Sequence, residues 1–537
     1  MLNESLQDFL NKNNMKFNLA YIFFVFIISY FSIKGENVAH PKMEILFFMI
    51  ILTIGFLLIN FYSKNKEDIV KITIVTILIF GVLFVFTTPL LDVPDENYHL
   101  YRSELTSQGI ISSANIMDHP KTIEFINSKY DLPRDKNRGN HPYGMSIFNT
   151  KEDTNKINTK RVDTNFTFGY NSFTGYIPQA IGIKIAKLLG LNVVWLIWLG
   201  RICNLLFYTA IVGFAIKKTP IFKVPFALVS MLPMSVYMAS SLSIDSSVNA
   251  LGLLAIAIFF KMYSGPDNSI TMKEILLFDI VVFFCAICKM PYIILIFLLL
   301  LIPISKFTDK KQYALITSTN IVGLLTIFYL YTAYISHTIK LPRIESLLGL
   351  DNTNANANMA LNNDNSMAIN NSAIANKSSN SAPKKPLLSY ETIKIVLKSA
   401  FLQLYEQYER LFTFGWLTYQ SKLLTNISLV YYSLIGFIYP ENINRSKKTR
   451  FFSILIFSCI YLLTYAGLFV GYTLYQNPNA TMVTGVQGRY FIPILVLIPF
   501  IISLNKDKLF KDMDLWILTF SLIFLAITIM LTIFNYY

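Results

Sequence analysis

Charge is what this chain has least of. Asp, Glu, Lys and Arg together make up 15% of its residues, where a soluble domain carries roughly 25%. So little charge excludes a large water-covered surface, and with 54% hydrophobic residues the bilayer is the natural solvent. Cysteine is scarce too. Cys203, Cys285, Cys288 and Cys459 all lie inside apolar runs, which excludes a disulfide framework. They read as small buried hydrophobes rather than a metal or redox pair, although Cys285 and Cys288 spell CxxC. No small-residue cleavage site follows the first apolar run, Phe17 to Ile33, despite a polar leader containing Lys12 and Lys16. That run is expected to be a retained first helix rather than a signal peptide.

What the chain has instead is apolar runs. Hydrocarbon about 30 Å thick needs about 20 apolar residues at helical rise. Such runs lie near 17–33, 44–62, 70–90, 191–216, 224–243, 246–263, 274–288, 291–305, 313–335, 423–440, 451–473, 490–504 and 514–535. They predict an all-α polytopic protein of about thirteen spans. The organisation expected is three N-terminal helices (1–90), a first outward loop (91–190), a central bundle (191–335), a second outward loop (336–422) and a C-terminal helical region (423–537). The net charge of +14 does not point to nucleic acid, because Lys and Arg sit in short clusters between apolar runs. Those clusters, such as Lys64/Lys66/Lys71, Lys217/Lys218/Lys223, Lys306/Lys310/Lys311, Arg445/Lys447/Lys448/Arg450 and Lys506/Lys508/Lys511, belong in the cytoplasm with the N-terminus. The long connections then face outward, and His40, His99, His119, His141 and His337 all fall in the outward set. Lys289-Met-Pro291 joins two short runs, as either two short spans or a dipping pair.

The two outward loops differ in character. Asp351 to Pro386, dominated by Asn, Ser, Ala and Lys, cannot bury enough apolar surface to offset its ordering entropy and is expected to be disordered. Tyr390 to Phe414 spaces apolar and aromatic residues as a helix lying on the membrane surface, and Tyr176 to Leu189 reads the same way. The first loop opens with Leu91-Asp-Val-Pro-Asp-Glu-Asn-Tyr-His-Leu-Tyr-Arg102. Pro94 suits the first turn of a helix capped by Asp92, with Glu96 in that turn. Asp95, His99 and Arg102 then share one face. The plainest reading is a capped helix with an exposed ion pair, which contributes little. Three carboxylates beside a hydrocarbon boundary, however, shift one another's pKa values, as catalytic bases and ion sites require.

Pro94-Asp-Glu-Asn-Tyr-His-Leu-Tyr-Arg102 resembles a signature of the DUF2142 family of bacterial membrane proteins. Ordered matches follow: GYIPQAIGIKIAKLLGL from Gly175, Gly200-Arg201, LPMSVYMASSLSIDS at 232–246, KMPY at 289–292, FGWL at 414–417 and QGRYFIPIL at 487–495. The Asn-rich insert and the first two helices depart from that pattern. The family resembles GT-C glycosyltransferases, which implies a multispan helical fold in the bacterial cytoplasmic membrane with an extracytoplasmic active site. The implied reaction takes a sugar from a polyprenyl-phosphate carrier to a glycan or lipid-linked acceptor. By that likeness the catalytic candidates are Asp95 as general base, then Asp92 and Glu96. His99 and Arg102 would orient the base or meet the phosphate. Arg489 and Lys289 are candidates for the lipid phosphate, with interface anchoring as the alternative. Asp245 would bind sugar hydroxyls or cap a helix. Tyr176, Tyr292, Trp416 and Gln487 stand in the matched motifs as further substrate contacts. Arg201, inside a span, requires a partner in the bundle. Asp92, Asp95 and Glu96 are hard ligands suited to Mg or Mn, but no spacing is diagnostic of a metal and none is assigned. The rival readings are a transporter or flippase of lipid-linked oligosaccharide, a surface-polysaccharide polymerase or ligase, and a membrane scaffold.

Overall fold

The computed structural model describes residues 12–33, 41–109, 116–118, 161–163, 171–335, 389–443, 445–503 and 507–536. His40, His119, His141, His337 and the Asn-rich run lie outside these residues. The protein is an all-α polytopic membrane protein. Eight of the described helices are long and apolar enough to cross a bilayer. In chain order they are α1 (Lys12–Ile33), α2 (Pro41–Lys64), α3 (Ile69–Thr87), α6 (Val193–Lys218), α9 (Asp245–Ser264), α11 (Lys310–Ile335), α15 (Lys447–Leu468) and α18 (Met513–Tyr536). Polar side chains mark their starts: Asp68, Asn192 and Ser446 accept the backbone N–H of Lys71, Trp195 and Thr449.

The most apolar surroundings belong to α9 and α18, each 89% buried over its central window, as a helix hydrophobic all round should be. Helices α1, α2 and α3 pack on α18, and α6 packs between α3 and α9. At the rim, Leu46, Met49 and Leu57 of α2, and Leu315, Val322 and Leu330 of α11, are exposed. An apolar rim of this kind is what hydrocarbon requires.

Shorter elements fill the gaps. The run expected at 224–243 is broken at Leu232-Pro233 into α7 (Lys223–Ser230) and α8 (Pro233–Ala239). Helix α10 (Met272–Cys288) is followed by a 3₁₀ segment, Met290–Leu301. At about 2.0 Å rise per residue, twelve residues of 3₁₀ cover about 24 Å, which is how so short a run reaches deep into the bundle. The segment after α15 is a π turn, Phe469–Thr473, and Gly488–Val496 is again 3₁₀ before α17 (Leu497–Ile502). Helix α14 (Lys422–Ile438) completes the C-terminal part. Two short antiparallel ribbons, Ile116–Asp118 with Arg161–Asp163 and Thr413–Phe414 with Tyr419–Gln420, lie between helices.

Where surface helices are expected the structure has α5 (Ile177–Leu188) and α12 (Tyr390–Leu402), the second ending at Leu402, short of the expected Phe414. Each turns one face inward and leaves large apolar side chains outside: Ile177, Ile181 and Leu188 on α5, Ile393, Leu397 and Phe401 on α12. Helix α5 lies directly on α6, because a Cβ at Gly182 would stand 2.1 Å from the Leu199 carbonyl.

The first loop starts differently from the expected geometry. Helix α4 spans Glu96–Ser107 and its N-cap is Asp95, in the left-handed region (φ 63°) and with no side-chain cap bond. Asp92 does not cap it, and Pro94 precedes the helix. The cause is Glu96, which turns inward to Arg201. Arg201 Nε and Nη2 donate to the two Glu96 carboxylate oxygens at 2.8 and 2.6 Å, and its other N–H groups reach the carbonyls of Val85, Thr88 and Pro89. Both side chains are fully buried. Arg201 therefore has the partner its position demands, and Glu96 is neutralised by it.

Removing one member of such a pair leaves an uncompensated buried charge. Arg201→Met is expected to lower unfolding stability by about 3–5 kcal/mol, and Glu96→Gln in the same chain to restore part of it, as read by thermal unfolding in detergent. Equal stability of Arg201→Met and wild type would contradict this assignment.

Candidate functional site

Asp245 at the start of α9, Lys289 just past α10 and Arg489 at the start of the second 3₁₀ segment come from distant parts of the chain and meet at one end of the bundle. Asp245 accepts from Lys289 Nζ at 2.9 Å on one oxygen and from Arg489 Nε at 2.6 Å on the other. The Lys289 backbone is extended there (φ −149°), and its ammonium sits 3.2 Å from the centre of the Tyr490 ring. Tyr292 supports this wall from behind, donating its hydroxyl to the Tyr490 carbonyl at 2.7 Å.

Arg489 is only 2% exposed, and its Nη2 lies 3.8 Å from a carboxylate oxygen of Asp95, whose side chain is 31% exposed. Arg489 Nη1 is buried without a hydrogen-bond partner among the described residues. A buried guanidinium N–H left unpaired is costly unless something fills it.

Helix α4 presents His99 one turn beyond Asp95. Its Nδ1 is 2.8 Å from the Tyr176 hydroxyl and its Nε2 is 3.4 Å from Ser243 Oγ. Asn171 Nδ2 donates to the same tyrosine oxygen at 3.1 Å, so one hydroxyl ties His99 to Asn171. Burial pushes the His99 pKa down to about 3; Asp245 opposes this, and Arg489 and Lys289 add to it. His99 is accordingly a neutral positioning residue. Arg102, buried one turn further, donates Nε to the Asn171 carbonyl at 2.8 Å and holds that strand of loop in place.

These residues enclose a cavity of about 250 Å³ lined by Asp95, His99, Asn171, Asp245, Lys289, Arg489 and Tyr490. Its other wall is α15, where Thr464, Gly467 and Leu468 stand just before the π turn. Such turns recur at functional sites.

The cavity gathers Asp95, His99, Asp245, Lys289 and Arg489 from the sequence candidates, and leaves others out. Glu96 is committed to Arg201 and to the Leu242 backbone N–H. Asp92 is buried and accepts from the hydroxyl of Tyr536. Neither lines the cavity, so neither is placed to act on a substrate there. The three carboxylates diverge toward different partners; among the described residues no three of His, Cys, Asp or Glu come together to hold a metal. Arg102, Tyr176 and Tyr292 support the walls without lining them. Trp416 Nε1 donates to the Leu91 carbonyl at 3.1 Å, fixing the turn before α4, and Gln487, with its Oε1 buried, does not line the cavity. Asn171, Ser243 and Tyr490 were not singled out from sequence. Tyr490 adjoins Arg489 and Ser243 precedes Asp245 by two, whereas nothing in the loop sequence marks Asn171.

A family model described as "Predicted membrane protein (DUF2142)" matches residues 78–498. Every cavity residue named above falls within that range, while α1, α2 and α18 lie outside it. Neither a curated protein nor a solved structure matches the chain.

The depressed His99 pKa carries a sign. Unfolded chain takes up a proton near pH 6.5 and folded chain only near pH 3, so this group contributes stability above pH 6.5 that is lost as pH falls through that interval. Between pH 6.5 and about 4.5, above the range of ordinary carboxylates, His99→Gln is expected to flatten the acid loss of stability by up to about 1.4 kcal/mol per pH unit. Unfolding midpoints measured across that range test it; parallel profiles for the two proteins would contradict a neutral buried His99.

Proposed function

Because the chain belongs to the DUF2142 family of predicted membrane proteins, we propose a reaction at the membrane boundary: this protein is a GT-C-type glycosyltransferase that moves a sugar from a polyprenyl-phosphate carrier to a cell-surface glycan or lipid-linked acceptor. The observation that carries this reading is the pairing, in one cavity, of a partly exposed carboxylate, Asp95, with a buried guanidinium, Arg489, that has an N–H without a partner among the described residues.

A sugar linked through phosphate brings its own leaving group, so the chemistry needs a base and a cation. The acceptor hydroxyl gives its proton to the Asp95 carboxylate and its oxygen attacks the anomeric carbon. The bond from that carbon to the phosphate oxygen breaks, and the oxygen keeps the electron pair. Arg489 Nη1 and the remaining N–H groups of Lys289 meet the developing phosphate charge, with Arg supplying a fork and Lys a point charge. Asp245 holds both cations in place, and Asn171, Tyr176 and His99 fix the opposite wall.

Sidedness supports the same reading. Arg445 and Lys447 lie at one end of α15 and the cavity wall at the other, and Lys261 pairs with Glu274 at the end of α9 away from Asp245. With the basic ends cytoplasmic, the cavity faces outward in a bacterial cytoplasmic membrane, where lipid-linked sugars are used.

Purified protein in liposomes, given polyprenyl-phosphate sugars and a lipid-linked acceptor, is expected to form a glycosidic product. Asp95→Asn should lower the rate by about 10²–10⁴-fold and Arg489→Lys by about 10²-fold, with Glu96→Gln acting through stability alone. Undiminished transfer by folded Asp95→Asn would remove the base assignment. Movement of lipid between leaflets with no bond formed would replace this reading with a transporter.

A further inference from the structure

A further buried carboxylate, Asp279, lies far from the cavity. Asp279 sits on α10, and at about 1.5 Å per residue it is about 15 Å below Lys289, deep in the apolar layer. It is 8% exposed, and its Oδ1 is buried with no hydrogen-bond partner among the described residues. Among the described residues no Lys or Arg pairs with it.

Asp279 borders a groove of about 300 Å³ between α10 and α11, to which α11 contributes Thr319, Asn320 and Gly323. Gly323 looks into open space, since a Cβ there would meet nothing within 4 Å. Helix α11 is the least buried of the eight long helices, at 17%, so the groove opens on the lipid side of the bundle.

A carboxylate at this depth is costly without a partner. Small residues and interhelical hydrogen bonds are what bring helices together in lipid. We propose that this groove receives one transmembrane helix of a partner protein, carrying a Lys or Arg at mid-membrane that pairs with Asp279. Charge complementarity selects the occupant. A lipid tail leaves the carboxylate bare. A second copy of the chain offers no cation at that depth among the described residues, because Arg201 is already engaged by Glu96 and the backbone carbonyls around it.

The test uses the full chain, donor-labelled, in phosphatidylcholine liposomes with acceptor-labelled synthetic Leu/Ala transmembrane helices that differ only in a central Lys or Leu. Energy transfer is expected to show the Lys helix associating about tenfold more tightly than the Leu helix. That preference should vanish in Asp279→Asn. It should also vanish in Gly323→Leu, where the open space accepts a side chain that fills the groove, so the result does not rest on one variant. Equal association of the two helices with wild type, or an unchanged preference in both variants, overturns the proposal. Pairing of the protein with itself, abolished by Gly323→Leu in single-molecule photobleaching, also overturns it by giving the groove to a second copy. None of these readouts depends on sugar transfer.

Discussion

The Glu96–Arg201 ion pair is the constraint on which the site depends. Two fully buried charges are stable only with excellent geometry and every remaining donor satisfied, and Arg201 meets that condition with five hydrogen bonds to Glu96, Val85, Thr88 and Pro89. The pair thereby ties the end of α3, the start of α4 and the middle of α6 to one point. Glu96 also accepts the Leu242 backbone N–H, which sets the turn that leads into Asp245. With Glu96 drawn inward, its neighbour Asp95 is left in a left-handed turn facing the cavity, and His99 follows one helical turn later. Register here is fixed by an interaction that takes no part in the proposed chemistry.

A comparison between the two buried carboxylate–arginine systems separates scaffold from site. Around Glu96 the guanidinium is closed: all its N–H directions end on oxygen. Around Asp245 the same chemistry is left open, since Arg489 gives Nε to the carboxylate, stands 3.8 Å from Asp95 with Nη2, and has no partner for Nη1 among the described residues. Lys289 similarly uses one N–H on Asp245 and lays its charge against the Tyr490 ring. Asp245 thus acts as a clamp that holds two cations without exhausting them.

Much of this was legible in the sequence, for identifiable reasons. Apolar run length gave the long helices, and spacing gave α5 and α12 with their exposed stripes. Asp95, Asp245, Lys289 and Arg489 were each marked as polar groups at helix ends, and Arg201 as a charge needing a partner. Their convergence was not legible, because periodicity reports which face of a helix is apolar and not which helix ends meet. Asp92, Asp95 and Glu96 are equivalent as letters, yet left-handed Leu91 and Asp95 send the three carboxylates to Tyr536, the cavity and Arg201. Tyr292 and Trp416 read as contacts because they stand in motifs; their hydroxyl and indole N–H instead hold backbone carbonyls of the walls. The 3₁₀ segments are not legible in the sequence, because an apolar run has the same composition in either helix type.

The directions of the elements around the cavity explain why it should draw an anion. Helix α4 begins at Glu96, α9 at Asp245, and the 3₁₀ segments at Met290 and Gly488, so each turns its N-terminal end toward this space. Helix N-termini carry partial positive charge and unpaired N–H groups. Two of them here are immediately adjacent to a cation, Lys289 and Arg489, a placement that helix dipoles alone disfavour. The two aspartates answer this, but both are already used: Asp245 by two cations, Asp95 by its approach to Arg489. Formal charge in the cavity is therefore near balance, while Arg489 Nη1 keeps an N–H without a partner among the described residues. The phosphate of the proposed donor would meet that N–H without first displacing a carboxylate of the protein.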